Sequence, residues 1–281
     1  MTAIPGGELQ REPTTLLSRD RLSVCVSALL ISLSALSWVI VVYAMPLMTM
    51  ASGGMMGVAA LVSSISPSAV TLFELLWVDG MAAMMFPAMI PIVLFYNRFS
   101  TRVEANPSLA KVVGTPLFLV GYLAVYGGLG LAVYFVVYLA VGFSFAVPGV
   151  AAIAAIAPGA VLLGAGLYQL TPRKSNFLMQ CVSPTAFFTQ HSHRGLLGSF
   201  RMGLVHGRYC VGCCWAYMLV MFAVALMSIP FMAVLSVVIA LEKVILRGSV
   251  WFTRGIAVGF VLLGMGSLLY PGLLGLLSAG L

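Results

Sequence analysis

Residues 22–44 read LSVCVSALLISLSALSWVIVVYA, an apolar run with no charge inside it. A helix needs about 20 such residues to cross the hydrocarbon layer of a bilayer. Six further runs follow: Leu72–Tyr96, Pro116–Val141, Pro148–Leu170, Tyr209–Ile229, Phe231–Leu246 and Gly255–Leu277. In lipid a backbone must satisfy its polar groups internally, which favours helices over open sheets. The pattern predicts an all-α fold, a polytopic transmembrane helical bundle of about seven spans. Composition agrees. Of 281 residues, 62% are hydrophobic and 7% charged, where a soluble domain carries about 25% charged residues. So few charges cannot cover a soluble surface. That excludes a typical cytosolic enzyme, a disordered chain and a nucleic-acid-binding domain.

The first run is too long for the apolar core of a signal peptide, and no small-x-small site follows it, so it reads as a retained helix. Residues 1–21, polar and holding Pro5 and Pro13, read as a mobile cytoplasmic tail. Residues 22–281 read as one transmembrane domain. The fifth and sixth runs nearly touch at Pro230, which suits a break in a tight helical hairpin. Gly121, Gly127, Gly128 and Gly130 in the third run, and Gly159, Gly164 and Gly166 in the fourth, read as packing positions.

The net charge is +7, from 14 Lys+Arg against 7 Asp+Glu. With seven spans, all 14 basic residues fall on one side. They precede the first span, follow the second, lie between the fourth and fifth, or surround the sixth-to-seventh turn. Segments 45–71 and 142–147 contain no Lys or Arg. The positive-inside rule then places the N-terminus in the cytoplasm and the C-terminus outside.

Cys210, Cys213 and Cys214 crowd into His206-Gly-Arg-Tyr-Cys210-Val-Gly-Cys213-Cys214-Trp215. On a helix, His206 and these cysteines fall at i, i+4, i+7 and i+8 and share one face. Thiolates and imidazole ligate soft or borderline metals such as Cu(I) and Zn(II). A thioredoxin-type motif would need a soluble βαβ setting, and haem attachment would need His after the second Cys. Simple helix packing stays open beside metal or thiol chemistry. One helix face does not close a tetrahedral shell, so Cys181, or a second chain, would have to help. Cys25 reads as a small buried residue. His191 and His193 read as solvated loop residues.

Glu74 and Asp79 lie inside the second span, where acids are expensive and mark function by default. They point about 140° apart on a helix, so they do not form one obvious dyad. Met81, Met84, Met85 and Met89 follow them, and Met45, Met48, Met50, Met55 and Met56 crowd the outer end of the first span. Thioethers bind Cu(I) and also fill irregular gaps. With the acids, Glu74, Asp79, Met81 and Met85 make a secondary intramembrane metal site a minor expectation.

Several motifs together resemble the DUF2182 family. They are the Cys-rich run, Leu241-Glu242-Lys243, Tyr168-Gln169-Leu170-Thr171-Pro172, and Met84-Met85-Phe86-Pro87 followed by Tyr96-Asn97-Arg98. The resemblance spans about residues 70–270. It implies a metal-binding integral membrane protein, without a metal, reaction or substrate. The family's Cys before Ser-Pro matches Cys181-Val182-Ser183-Pro184, which implies Cys181 as the missing ligand.

The expectation is therefore a multi-pass inner (plasma) membrane protein holding copper, or zinc after it, through Cys181, His206, Cys210, Cys213 and Cys214. Its role would be transport, delivery or sensing rather than catalysis. Its partners would be the lipid bilayer and other membrane proteins or a second copy, with no nucleic acid. A thiol-redox or electron-transfer subunit and an accessory structural subunit are the alternatives. No Walker A motif is present for ATP-driven pumping.

Overall fold

The computed structural model describes residues 21–52, 66–103, 110–146, 150–225 and 229–270. The expected N-terminal tail, Met55 and Met56 lie outside the described residues, as do the side chains of Met45, Met48 and Met50. The described chain is helical, with no strand among the described residues. Its elements are α1 (Arg21–Ser52), α2 (Pro67–Val103), α3 (Thr115–Ala146), α4 (Val150–Gln169), α5 (Pro172–Val182), α6 (Pro184–His191), α7 (Gly195–Ala225), α8 (Ile229–Ala240) and α9 (Val250–Leu269). A π-helical turn at Ala110–Gly114 leads into α3, and another at Leu241–Ile245 prolongs α8.

Four helices are long and apolar enough to cross a membrane among the described residues: Ser23–Ala44, Pro67–Ser100, Val112–Ala140 and Val250–Leu269. The apolar part of α4, Ile156–Gln169, is shorter. The seven-span count goes beyond these four. The fifth expected run also begins late within its element, because α7 starts at Gly195, ahead of Arg201, His206 and Arg208. The outward surface supports a lipid environment. Val24, Leu29, Tyr43, Trp251, Leu262 and Leu269 are all exposed on α1 and α9, a surface that water would penalise and lipid would not. Cys25 lies on this surface too, and is not the buried residue the sequence suggests.

Helix pairing follows small residues and local repairs. α1 packs on α2, α3 on α2 and α7, and α4 on α7 and α9. A Cβ at Gly203 of α7 would run into the Phe118 carbonyl oxygen of α3, and one at Gly121 into that of Phe200. These backbones are in direct contact, which only glycine permits. At the α4–α9 crossing, a Cβ on Gly159 would lie 2.8 Å from Leu268 Cγ, and one on Gly166 would lie 2.9 Å from the Ala257 oxygen. Gly128 and Gly164 have nothing within 4 Å and do not serve packing. Pro87 lies inside α2. Lacking an N–H, it cannot bond the carbonyl four residues earlier, that of Ala83. Ser34 of α1 donates its hydroxyl to that oxygen at 2.7 Å, so the proline gap becomes an α1–α2 contact.

α5 and α6 were not legible as elements in what reads as a polar loop. Thr171 caps α5 by accepting from the Lys174 N–H at 3.3 Å, with Pro172 opening the helix. Ser183 caps α6 by accepting from the Ala186 N–H at 3.4 Å, with Pro184 next. Both are the Ser/Thr-Pro start that leaves few orphan donors.

The α3–α7 contact yields a direct test. Gly203→Val should lower the apparent Tm of the detergent-solubilised protein, by the equivalent of about 1–3 kcal/mol. Gly128→Ala should leave the Tm unchanged or slightly raised, since alanine is the better helix former by about 1 kcal/mol. Equal melting of the two variants would contradict the contact.

Candidate metal centre

α5 is amphipathic, and its inward face carries Lys174, Phe177, Leu178 and Cys181. Lys174 and Leu178 are buried there, and Phe177 fills the space beside Gly212 of α7, where a Cβ would lie 2.7 Å from its Cγ. Packing α5 on α7 brings Cys181 Sγ to 3.6 Å from Cys213 Sγ. The sulfurs of Cys181, Cys210 and Cys213 all lie within 4.8 Å of one another. Cys214 Sγ stands 3.5 Å from Cys213 Sγ, and Cys213 donates to the Cys210 carbonyl at 3.2 Å. All five cysteines are free thiols.

Cys210 is the most heavily supported of the set. Tyr126 of α3 donates its hydroxyl to Cys210 Sγ at 3.1 Å, and the Tyr122 hydroxyl lies 3.1 Å from the same sulfur. These tyrosines are one helical turn apart, so one face of α3 presents both. Lys243 Nζ completes the shell, donating to Cys210 Sγ at 2.9 Å.

Lys243 reaches inward because of the π-helical turn. The Leu246 N–H bonds the Leu241 oxygen at 2.8 Å, five residues back, and Arg247 and Gly248 then reverse the chain with φ of 44° and 76°. One inserted residue swings a short stretch of side chains around the helix. Glu242 and Lys243 are both buried as a result. Glu242 forms an ion pair with Lys174 of α5, accepts from Tyr217 at 3.2 Å, and accepts from Thr253 of α9 at 2.9 Å. The Lys174 ammonium also sits 5.2 Å from the centre of the Tyr217 ring. Removing two such charges from water is expensive unless they meet with further hydrogen bonds, and here they do.

The other expected ligands are placed differently. His206 lies on α7 and is buried, but it is not part of the sulfur trio. Its ring sits among Phe118, Tyr122 and Phe187, with centroids 6.0, 6.0 and 5.1 Å away, and Nδ1 has no hydrogen-bond partner. Its i, i+4 position from Cys210 is as expected, while its ring packs into an aromatic box. His191 closes α6 and its Nε2 lies 3.0 Å from the Tyr209 hydroxyl, so it is not a solvated loop residue; His193 is exposed. Glu74 and Asp79 face different neighbours. Glu74 borders Gly130 of α3, where a Cβ would lie 2.7 Å from Oε1, and Asp79 is hydrogen-bonded to Ser37 of α1. Met81 and Met85 are both fully buried.

Sequence reasoning missed Tyr122, Tyr126 and Lys174 as parts of this centre, and met Glu242 and Lys243 only as a motif of the family resemblance and, for Lys243, as a topological charge. Glu242 is fully buried. A signal was present: adjacent charges closing an apolar run, and a lysine four residues before a leucine and seven before a cysteine.

A family model described as PpoB2, copper chaperone, matches residues 74–267, more than half of the chain. Neither a curated protein nor a solved structure matches. The match supports metal binding with copper as the metal and gives no support to zinc. It names PpoB2; DUF2182 is not shown.

The buried ion pair has a measurable cost of breakage. Glu242→Gln leaves the Lys174 charge uncompensated and should destabilise the folded protein by about 3–5 kcal/mol in a denaturant series. Combining Lys174→Met with Glu242→Met should recover most of that loss. A double variant no more stable than Glu242→Gln would show that the cost is not electrostatic.

Proposed function

The chain belongs to the PpoB2 copper-chaperone family, and on that premise we propose that it is an inner-membrane protein that binds copper(I) at Cys181, Cys210 and Cys213 and delivers it to a partner protein. The thiols of α7 lie midway along that helix, at the cytoplasmic end of its apolar stretch in this reading, with Cys214 as an adjacent exchange sulfur. The observation that carries the proposal is three cysteine sulfurs from two helices within 4.8 Å of one another.

The chemistry of the donor set suits the cargo. Soft thiolates select Cu(I). With two of the three sulfurs ionised and the third kept as a thiol, one monovalent copper leaves a net charge of −1, and a buried charge requires a partner. The Lys243 ammonium at 2.9 Å from Cys210 supplies it. The Tyr126 hydroxyl donates to the same sulfur and orients it toward the trio. The Lys174–Glu242 pair is already neutral and holds α5 against the turn that carries Lys243. Copper enters and leaves by ligand exchange, for which a third and fourth sulfur give intermediate positions without an open, water-filled site.

A dithiol redox role is the second reading, favoured by the 3.6 Å separation of the Cys181 and Cys213 sulfurs. The two readings part in one experiment. Protein purified anaerobically and loaded with Cu(I) should retain near-stoichiometric copper by elemental analysis. Cys210→Ser and Cys213→Ser should each lose most of it while keeping the wild-type chromatographic profile. Folded wild-type protein that retains no copper, together with a reversible dithiol midpoint, would replace the chaperone reading with the redox one.

A further inference from the structure

Cys210 Sγ meets more hydrogen-bond donors than a sulfur awaiting a metal needs. Lys243 Nζ donates to it at 2.9 Å and the Tyr126 hydroxyl at 3.1 Å. The Tyr122 hydroxyl stands 3.1 Å from the same atom as well. A thiolate has few lone pairs, and each one given to a donor is withdrawn from a metal. For copper(I) to bind, one of these partners has to give way. Lys243 does not, because the copper–thiolate group keeps the net negative charge that its ammonium compensates. That leaves the two phenols.

The phenols differ in what else they reach. The Tyr122 hydroxyl lies 3.5 Å from that of Tyr126 and is placed to donate to it. Tyr126 gives its hydrogen to the sulfur, so its oxygen remains an acceptor. Tyr122 thus has a second acceptor beside the sulfur, and changes between the two by turning its O–H bond alone. The rest of the residue is held in place. Its side chain is fully buried, and its ring centroid lies 5.1 Å from that of Tyr126 and 6.0 Å from that of His206. Its backbone touches α7, where a Cβ at Gly203 would lie 3.0 Å from the Tyr122 nitrogen and one at Gly207 3.1 Å from its oxygen. A buried hydroxyl left without a partner is costly, so the second acceptor is what allows Tyr122 to leave the sulfur.

We propose that Tyr122 controls copper(I) exchange at Cys210 by competing with the metal for its sulfur. The proposal rests on the copper(I) reading of the thiol trio and deepens it. In the metal-free site the Tyr122 hydroxyl donates to Cys210 Sγ. As copper(I) arrives, the hydroxyl turns to the Tyr126 oxygen and vacates one lone pair, while Tyr126 and Lys243 stay on the sulfur. On release the hydroxyl returns, so the departing metal is replaced by a hydrogen bond and not by an under-satisfied buried thiolate. Only the hydroxyl hydrogen moves, and no proton leaves Tyr122. Tyr122 is a positioning residue, touching the sulfur when the metal does not.

The test loads the full chain in detergent with copper(I) under anaerobic conditions, titrates it with the chelator bathocuproine disulfonate, and records the thiolate-to-copper charge-transfer band. Tyr122→Phe removes the competitor and should hold copper(I) about five- to tenfold more tightly than wild type, the difference between a hydrogen bond to a charged sulfur and the neutral one regained. Transfer to the chelator should slow. Its band in the loaded state should match the wild type, since Tyr122 has by then left the sulfur. Tyr126→Phe should move the band to lower energy, because it strips a donor from the bound sulfur. It should bind copper(I) no more tightly than wild type, because the displaced Tyr122 hydroxyl has lost its acceptor. Wild-type affinity in Tyr122→Phe, or a shifted band in that variant, overturns the proposal and leaves the copper reading standing. Equal tightening in both variants also overturns it, as two independent donors would act that way. Folded wild-type protein that takes no copper overturns both. Should Tyr122→Phe fail to fold, Tyr126→Phe decides: tighter binding than wild type overturns the proposal.

Discussion

A charge inside an apolar bundle is tolerated only where an opposite charge or several hydrogen bonds meet it. The corner formed by α5, the end of α8 and the start of α9 is organised by that constraint. Glu242 collects the Lys174 ammonium, the Tyr217 hydroxyl and the Thr253 hydroxyl. Three elements are tied to the π-helical turn through one carboxylate. Lys243, next in sequence, is thereby aimed at Cys210. The position of the sulfur trio depends on this arrangement, because α5 brings in both Lys174 and Cys181.

The opposite side of the centre depends on close packing rather than charge. Gly121 and Gly203 let α3 and α7 meet backbone to backbone. Only at that distance do the Tyr122 and Tyr126 hydroxyls reach Cys210. Trp77 ties α2 to the same helix by donating to the Tyr126 oxygen at 2.8 Å. Without small residues the helices would stand farther apart and the tyrosines would fall short of the sulfur. Membrane helices gain little from burying apolar surface against one another, so such fits carry the association. The family assignment, copper chaperone, fits a chain that gathers three thiols from two helices.

Much of the candidate site was legible residue by residue. The spacing of Cys210, Cys213 and Cys214 put them on one helix face, and the helix is there. Cys181 was named as the missing sulfur, and it lies beside Cys213. His206 was grouped with the cysteines by helical phase alone. Phase fixes where a Cβ points, while the aromatic rings of Phe118, Tyr122 and Phe187 decide where the imidazole goes. Glu74 and Asp79 drew attention as intramembrane acids, but each answers to a different neighbouring helix. Lys243 was read as a topological charge and as part of a family motif, not as a partner of Cys210, because nothing local announces a π-helical turn.

From the sequence alone came the helical class, the unsuitability for water and the thiol face of α7. Those properties depend on composition and on the 3.6-residue period, which are local. Tertiary structure alone decided that Lys174, Cys181 and Lys243 converge on that face. Convergence needs contacts between residues far apart in the chain: 32 positions separate Cys181 from Cys213, and 33 separate Cys210 from Lys243. No periodicity in the sequence encodes such a pairing. It is set by glycine contacts and buried charge, which exist only once the helices have met.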